Sequence, residues 1–218
     1  MPEIKDFAFV IQIDRDSDIT LKIQKKEDSE YVTNSSKTET LNEFFLSFSN
    51  LQNAKSQSKT KSALEPIIIV KADRLLRFEE IVKVIKSVRV SPTQKIKLQI
   101  SDNLYAAIPQ KPVDNPNVIW RPNPLTLLVY LKNDRKFTLN NEPFGNFENI
   151  FPLTDKMKQI FKEREENGIF REGTNEVEKT VFVKMPLSVN FEEVIGTIEK
   201  LFATGASPII LQIDDLEK

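Results

Sequence analysis

The chain has 218 residues, 31 basic and 32 acidic side chains and a formal net charge of −1, so no global field draws it to nucleic acid or an anionic membrane. It contains no histidine and no cysteine, which excludes Ser-His-Asp and Cys-His nucleophiles and zinc, haem or iron–sulfur sites built on those ligands. A hydrophobic fraction of 39% with only five glycines marks a globular chain, long enough for two domains of ordinary size.

Residues 1–6 lack the apolar core of a signal peptide. No apolar run approaches the roughly 18–20 residues of a membrane-spanning helix. Phe7, Phe9, Ile11 and Ile13 alternate with other residues, the period of a strand. The turn formers Asp14-Arg15-Asp16-Ser17-Asp18 follow, then Ile19, Leu21 and Ile23 alternate again. This pattern predicts a β-hairpin. Leu41, Phe44, Phe45, Phe48 and Leu51 recur at three- and four-residue spacing and predict one apolar helix face. Residues 52–62, rich in Ser, Lys and Gln, read as a loop. Residues 67–71 read as a buried strand, 78–89 as a helix and 96–100 as a further strand. Strand, helix and strand make a βαβ crossover with parallel strands. Residues 103–124 follow, with five of the twelve prolines and the single Trp120. Proline density predicts a stiff, extended joint, with Trp120 packed on one of the domains.

The same unit then recurs. Residues 67–102 align without a gap on 180–215 at a constant offset of 113 (Ile67 onto Thr180). Val70-Lys71 falls on Val183-Lys184, Phe78-Glu79-Glu80 on Phe191-Glu192-Glu193, and Ile96-x-Leu98-Gln99-Ile100 on Ile209-x-Leu211-Gln212-Ile213. The hairpin matches at an offset of 118 (Phe7 onto Leu125), with its turn at Lys132-Asn133-Asp134-Arg135. Leu153, Met157, Ile160 and Phe161 predict the equivalent helix, with Thr154 or Asp155 available as its cap. Asn190 suits an N-cap and Gly205 a C-terminal stop. The sequence therefore predicts an α+β protein of two repeated β-β-α-β-α-β domains. Each is a mixed sheet with helices packed on one face. Copy one spans 1–104, a Pro-rich linker 105–124 and copy two 125–218.

A hairpin, a helix and a carboxy-terminal βαβ resemble the periplasmic domain of the ExbD/TolR family, accessory subunits of proton-driven inner-membrane motors. The resemblance rests on the order of elements and on two stretches. One is Val70-Lys71-Ala72-Asp73-Arg74 ahead of Phe78, similar to the family's strand ending in an Ala-Asp-basic step. The other is Ala203-Thr204-Gly205-Ala206-Ser207-Pro208 before Ile209-Ile210-Leu211-Gln212-Ile213, similar to its small-residue helix stop before an apolar strand. Three features depart from the family. Its amino-terminal membrane helix, with the proton-carrying Asp, has no counterpart here. Met185-Pro186-Leu187 stands in copy two where copy one has Ala72-Asp73-Arg74. Family members generally carry one copy and dimerise, whereas a tandem can build a dimer-like pair in one chain. The resemblance implies an ExbB/TolQ-like membrane subunit and a TonB/TolA-like protein as partners. It implies a place at the periplasmic face of the bacterial inner membrane if an anchor was removed, and otherwise in the cytoplasm. A homodimer and contact with cell-wall polymer are further expectations; nucleic acid is not expected.

Candidate chemistry is sparse. Asp14-x-Asp16-x-Asp18 opens like a calcium loop, but Ile19 and Lys25 stand where that loop needs Gly and Glu, so a hairpin turn is the reading. Glu79-Glu80 and Glu192-Glu193 are neighbours about 100° apart on a helix and do not converge on one substrate. They suit the positive end of the helix dipole instead. No catalytic residue, cofactor or metal site is expected. Two surfaces remain. Lys71, Arg74, Arg77, Lys83, Lys86, Arg89, Lys95 and Lys97, against Asp73, Glu79 and Glu80, put residues 71–97 at +5, while the equivalent 184–210 stands at −1. The strand holding Ile209, Leu211 and Ile213 carries no Lys, and no Pro after Pro208. It is either covered by another element or free to pair with a partner. The candidate partner-binding residues are thus Asp73, Arg74, Arg77, Lys83, Lys86, Ile209, Leu211 and Ile213. The functional expectation is a non-catalytic interaction module of the ExbD/TolR kind. A cytoplasmic scaffold of the same fold, or an enzyme of unknown class, is the alternative.

Overall fold

Copy one builds β1 (Phe7–Ile13), β2 (Ile19–Lys25), β3 (Glu30–Asn34), α1 (Thr38–Gln57), β4 (Ile67–Ala72), α2 (Phe78–Val88), β5 (Lys95–Ser101) and β6 (Leu104–Ile108). Copy two builds β7 (Leu127–Leu131), β8 (Lys136–Leu139), β9 (Glu142–Asn146), α3 (Phe151–Glu166), β10 (Val181–Lys184), α4 (Phe191–Phe202) and β11 (Ile209–Gln212). The structure is a computed structural model and describes residues 7–25, 30–34, 38–57, 67–90, 94–109 and 125–214. The expectations for the joint beyond Pro109, Trp120 included, lie outside the described residues.

The strands form one eleven-stranded mixed sheet, in the order β3-β2-β1-β4-β5-β6-β11-β10-β7-β8-β9. Within copy one, β1 runs antiparallel to β2 and parallel to β4, and β4 parallel to β5. Copy two repeats this, with β7 antiparallel to β8 and parallel to β10, and β10 parallel to β11. Fold class is the mixed α and β arrangement that the periodicities predict.

Four details differ from the sequence reading. Each hairpin gains a third strand, β3 on β2 and β9 on β8. Residues 104–108 are not the start of a linker; a two-residue turn at Asp102-Asn103 folds β6 back antiparallel on β5. Helix α1 runs to Gln57 and α3 to Glu166, further than the loops expected at 52–62 and 163–178. Finally, α3 begins before Thr154 and Asp155. Its first turn is held by Asn149 Oδ1, which accepts from Phe151 N–H at 3.3 Å, and Pro152 stands where a helix needs no N–H. Thr154 instead donates its hydroxyl back to the Phe151 carbonyl.

Strand alternation separates two faces. Phe9, Ile11, Ile13, Val70, Leu98 and their copy-two equivalents Leu127, Val129, Leu131, Val183 and Leu211 share one buried cluster with the inner faces of the helices. That cluster runs through both copies without a break. Phe9 receives Phe45 and Phe48 of α1 edge-on, with ring centroids 5.2 and 5.1 Å away. On the opposite face a second, smaller group of buried apolar residues gathers around Ala8, Val10 and Ile69.

The halves meet along a seam with two-fold character. Phe78 N–H donates to the Val189 carbonyl at 2.9 Å, and its equivalent Phe191 N–H donates to the Leu76 carbonyl at 2.8 Å. Glu79 N–H reaches the Leu187 carbonyl at 3.1 Å, and Glu192 N–H the Arg74 carbonyl at 2.9 Å. Arg77 and its equivalent Asn190 face each other across the axis as an antiparallel bridge. The first N–H groups of a helix have no partner within it, so each helix start uses the preceding turn of the other half as its acceptor. Residue i meets j and the equivalent of j meets the equivalent of i, the signature of an isologous dimer contact, here inside one chain. Beside the seam, Ala107 of β6 pairs in parallel with Ile210 of β11, making the sheet continuous.

Candidate functional site

The seam absorbs part of the surface singled out from sequence. Asp73 ends β4 in a turn: its Oδ1 accepts from Leu75 N–H at 2.8 Å, and its own N–H donates to the Ile13 carbonyl. The Arg74 carbonyl accepts a bond from copy two. Arg77 precedes α2, and its N–H donates to Glu80 Oε2 at 3.2 Å. Lys83 and Lys86 are exposed on α2, Lys83 pairing with Glu79 at 2.9 Å. The local +5 charge is therefore not one patch. Lys71, Lys95 and Lys97 alternate with core residues and lie on the sheet face away from the helices. Arg89 is buried and grips Asp214 of copy two with both terminal nitrogens, at 2.9 and 2.5 Å, while Nη1 also donates to the Pro109 carbonyl. Ile209, Leu211 and Ile213 are all core residues. Their strand lies between β10 and β6, so of the two expected states it is the covered one, and β6 of copy one is what covers it.

A groove opens where the β1–β2 turn approaches the helices of copy one. It is an open groove of about 710 Å³ beside Ile13, Ile19 and Val84, with Ser17, Glu39 and Glu80 among its polar groups. Ser17 lies at the left-handed position of the turn, φ 65°. Its hydroxyl donates to Glu80 Oε1 at 3.2 Å. Asp14 Oδ1 shapes the turn by accepting from the N–H groups of Asp16 and Asp18. The Asp14–Asp16–Asp18 spacing is thus a hairpin turn.

Copy two builds the same place with different side chains. Arg135 takes the position of Ser17, with φ 67°. The turn bonds match: Ser17 N–H to the Asp14 carbonyl at 3.1 Å and Arg135 N–H to the Lys132 carbonyl at 3.0 Å. Glu193 takes the position of Glu80 and likewise accepts from the N–H of the residue before the helix, Asn190, at 3.1 Å. Its other oxygen binds Arg135 Nη2 at 2.5 Å, and the guanidinium lies 4.1 Å from the centre of the Phe147 ring. The Arg135 hydrogen bond, helped by the Asn190 N–H, holds the Glu193 carboxyl below the ordinary glutamate range despite partial burial; the same bond raises Arg135. Sequence reading placed both glutamates in first turns. The partner of each second oxygen has no local signature, because it lies in a turn about sixty positions away.

Among the described residues no group of three carboxylates is placed to hold a metal ion. None of the described helices is long and apolar enough to cross a membrane. No family model and no curated protein matches this chain.

Proposed function

We propose that the chain is a non-catalytic interaction module of the ExbD/TolR kind, the periplasm-facing part of an accessory subunit of a proton-motive-force-driven membrane motor. In this reading the two copies supply within one chain the pair that family members make by dimerising. The observation that carries it is the reciprocal exchange of backbone bonds between Leu76-Arg77-Phe78 and Val189-Asn190-Phe191. Such a seam is what a fused symmetric dimer leaves behind. The partners would be an ExbB/TolQ-like membrane subunit and a TonB/TolA-like protein.

The sheet offers such a partner an edge. The outermost described strands are β3 and β9. Strand β9 carries Pro143, Gly145 and an irregular register against β8, features that blunt an edge. Strand β3, Glu30-Tyr31-Val32-Thr33-Asn34, has no Pro, Gly or Lys. A partner segment added in extended form would pair there through its backbone. The test is co-expression with an ExbB/TolQ-like membrane subunit, followed by affinity purification from solubilised membranes. A stoichiometric complex, weakened by Val32→Pro in a protein that keeps its melting temperature, supports the reading. A chain that fractionates with the cytosol and never co-purifies refutes it.

A further inference from the structure

The two copies differ in the side chain that the hairpin turn presents to the helix glutamate. In copy two the groove between turn and helix is occupied by the chain's own Arg135, whose guanidinium bridges Glu193 and lies on Phe147. In copy one the backbone is the same: the turn residue is again left-handed, and the helix glutamate again accepts the N–H ahead of the helix. The turn residue, however, is Ser17. Its hydroxyl reaches Glu80 Oε1 but stops at the first atoms of the path that the Arg135 side chain follows.

Beside Ser17 opens the groove of about 710 Å³. Its apolar walls, Ile13, Ile19 and Val84, suit the flat face of a guanidinium, which is weakly hydrated and stacks on apolar surface. Copy one adds a second carboxylate, Glu39, at this groove. Among the described residues the lining cation is Lys83, which pairs with Glu79 at 2.9 Å.

We propose that the copy-one groove binds a guanidinium group, with Glu80 accepting the charge-assisted hydrogen bond that Glu193 accepts from Arg135. The ligand is a small guanidine or the arginine side chain of a peptide; both present the same planar fork of donors. The site is independent of the family reading above, because it rests only on the internal comparison of the two copies.

The test is amide chemical-shift mapping of the full chain with methylguanidinium, L-arginine and a blocked arginine tripeptide, each at about 10 mM, where a site of millimolar Kd is mostly filled. Methylammonium serves as the control cation. Shifts should concentrate at Ser17, Glu80 and their neighbours and leave Arg135 and Glu193 unmoved. The planar donor should outcompete the ammonium control. Glu80→Gln keeps an acceptor for the Arg77 N–H and should weaken binding by about tenfold or more, the loss of a charge-assisted bond. Ser17→Arg should fill the groove from within, as in copy two; it should abolish binding and raise the melting temperature, and adding Glu80→Gln should remove the rise. A tripeptide that binds far tighter than methylguanidinium identifies a protein-borne arginine, and equal affinity identifies a small guanidine. The proposal is overturned if none of the guanidines shifts these amides, if Glu80→Gln leaves the affinity unchanged, or if Ser17→Arg still binds with wild-type affinity.

Discussion

Arg89 ties the two halves together beyond the backbone seam, and replacing it by Met removes that tie while keeping most of the side-chain volume. The guanidinium is almost wholly buried, with 7% of the side chain exposed, and Asp214 retains 25%. Two charge-assisted bonds to Asp214 and one to the Pro109 carbonyl are lost together. Breaking a fully buried pair costs about 3–5 kcal/mol, mostly through the charge left behind. Asp214 is a quarter exposed and recovers part of its hydration, so the lower end applies, about 3 kcal/mol. For a chain of this size about 1 kcal/mol moves Tm by 2–4 °C, so Arg89→Met should lower it by about 6–12 °C. Calorimetry is the assay, because it also shows whether the halves melt together. One transition should move as a whole. Adding Asp214→Leu should restore part of the loss, since the orphaned carboxylate is then gone. A shift under about 1 °C, far below that range, or movement of only one of two separate transitions, would refute the reasoning.

Two further contacts give outcomes of their own. Arg135→Ser gives copy two the side chain of copy one and should cost about 1–2 kcal/mol at neutral pH, a charge-assisted bond discounted for partial exposure. Because the folded-state Glu193 lies below its unfolded value, this contribution is complete above the ordinary glutamate value of about 4.3 and is lost as pH falls through the lower folded value. Urea titrations of wild type and variant should therefore converge in acid; a gap that widens as pH falls would contradict this. Buried Arg164 donates to the carbonyls of Glu178 and Leu125. Arg164→Met should destabilise by about 1–3 kcal/mol, the buried Glu178 carbonyl losing a charged donor, and an unchanged denaturation midpoint would count against that role.

The local periodicities were legible because they report burial directly. Phe9, Ile11 and Ile13 face the core, and Leu41 and Phe45 line the inner face of α1, as their spacing predicts. Phe44, at the margin of that face, is partly exposed and touches Phe9 only by its edge. Strand β9 was not legible, since Pro143 and Gly145 are turn residues by propensity and only edge pairing with β8 makes them strand. Strand β6 was hidden by the prolines that follow it, although Asp102-Asn103 is a plausible two-residue hairpin turn. The union of the halves had no local signature at all. Arg89 and Asp214 lie 125 positions apart, and the seam is made of backbone groups, which every residue type carries. In the groove, both glutamates were visible, but the contrast between Ser17 and Arg135 became meaningful only when the two turns proved to share one backbone conformation.

Native-state hydrogen exchange of six amides tests the central claim, that the tandem is one body joined by a reciprocal seam. Phe78, Glu79, Phe191 and Glu192 donate across the seam, while Val70 and Val183 lie in the inner strands β4 and β10. All six should be strongly protected and share one opening free energy, that of global unfolding. Seam amides that exchange at free-peptide rates while Val70 and Val183 stay protected would contradict it and make the halves two independent domains.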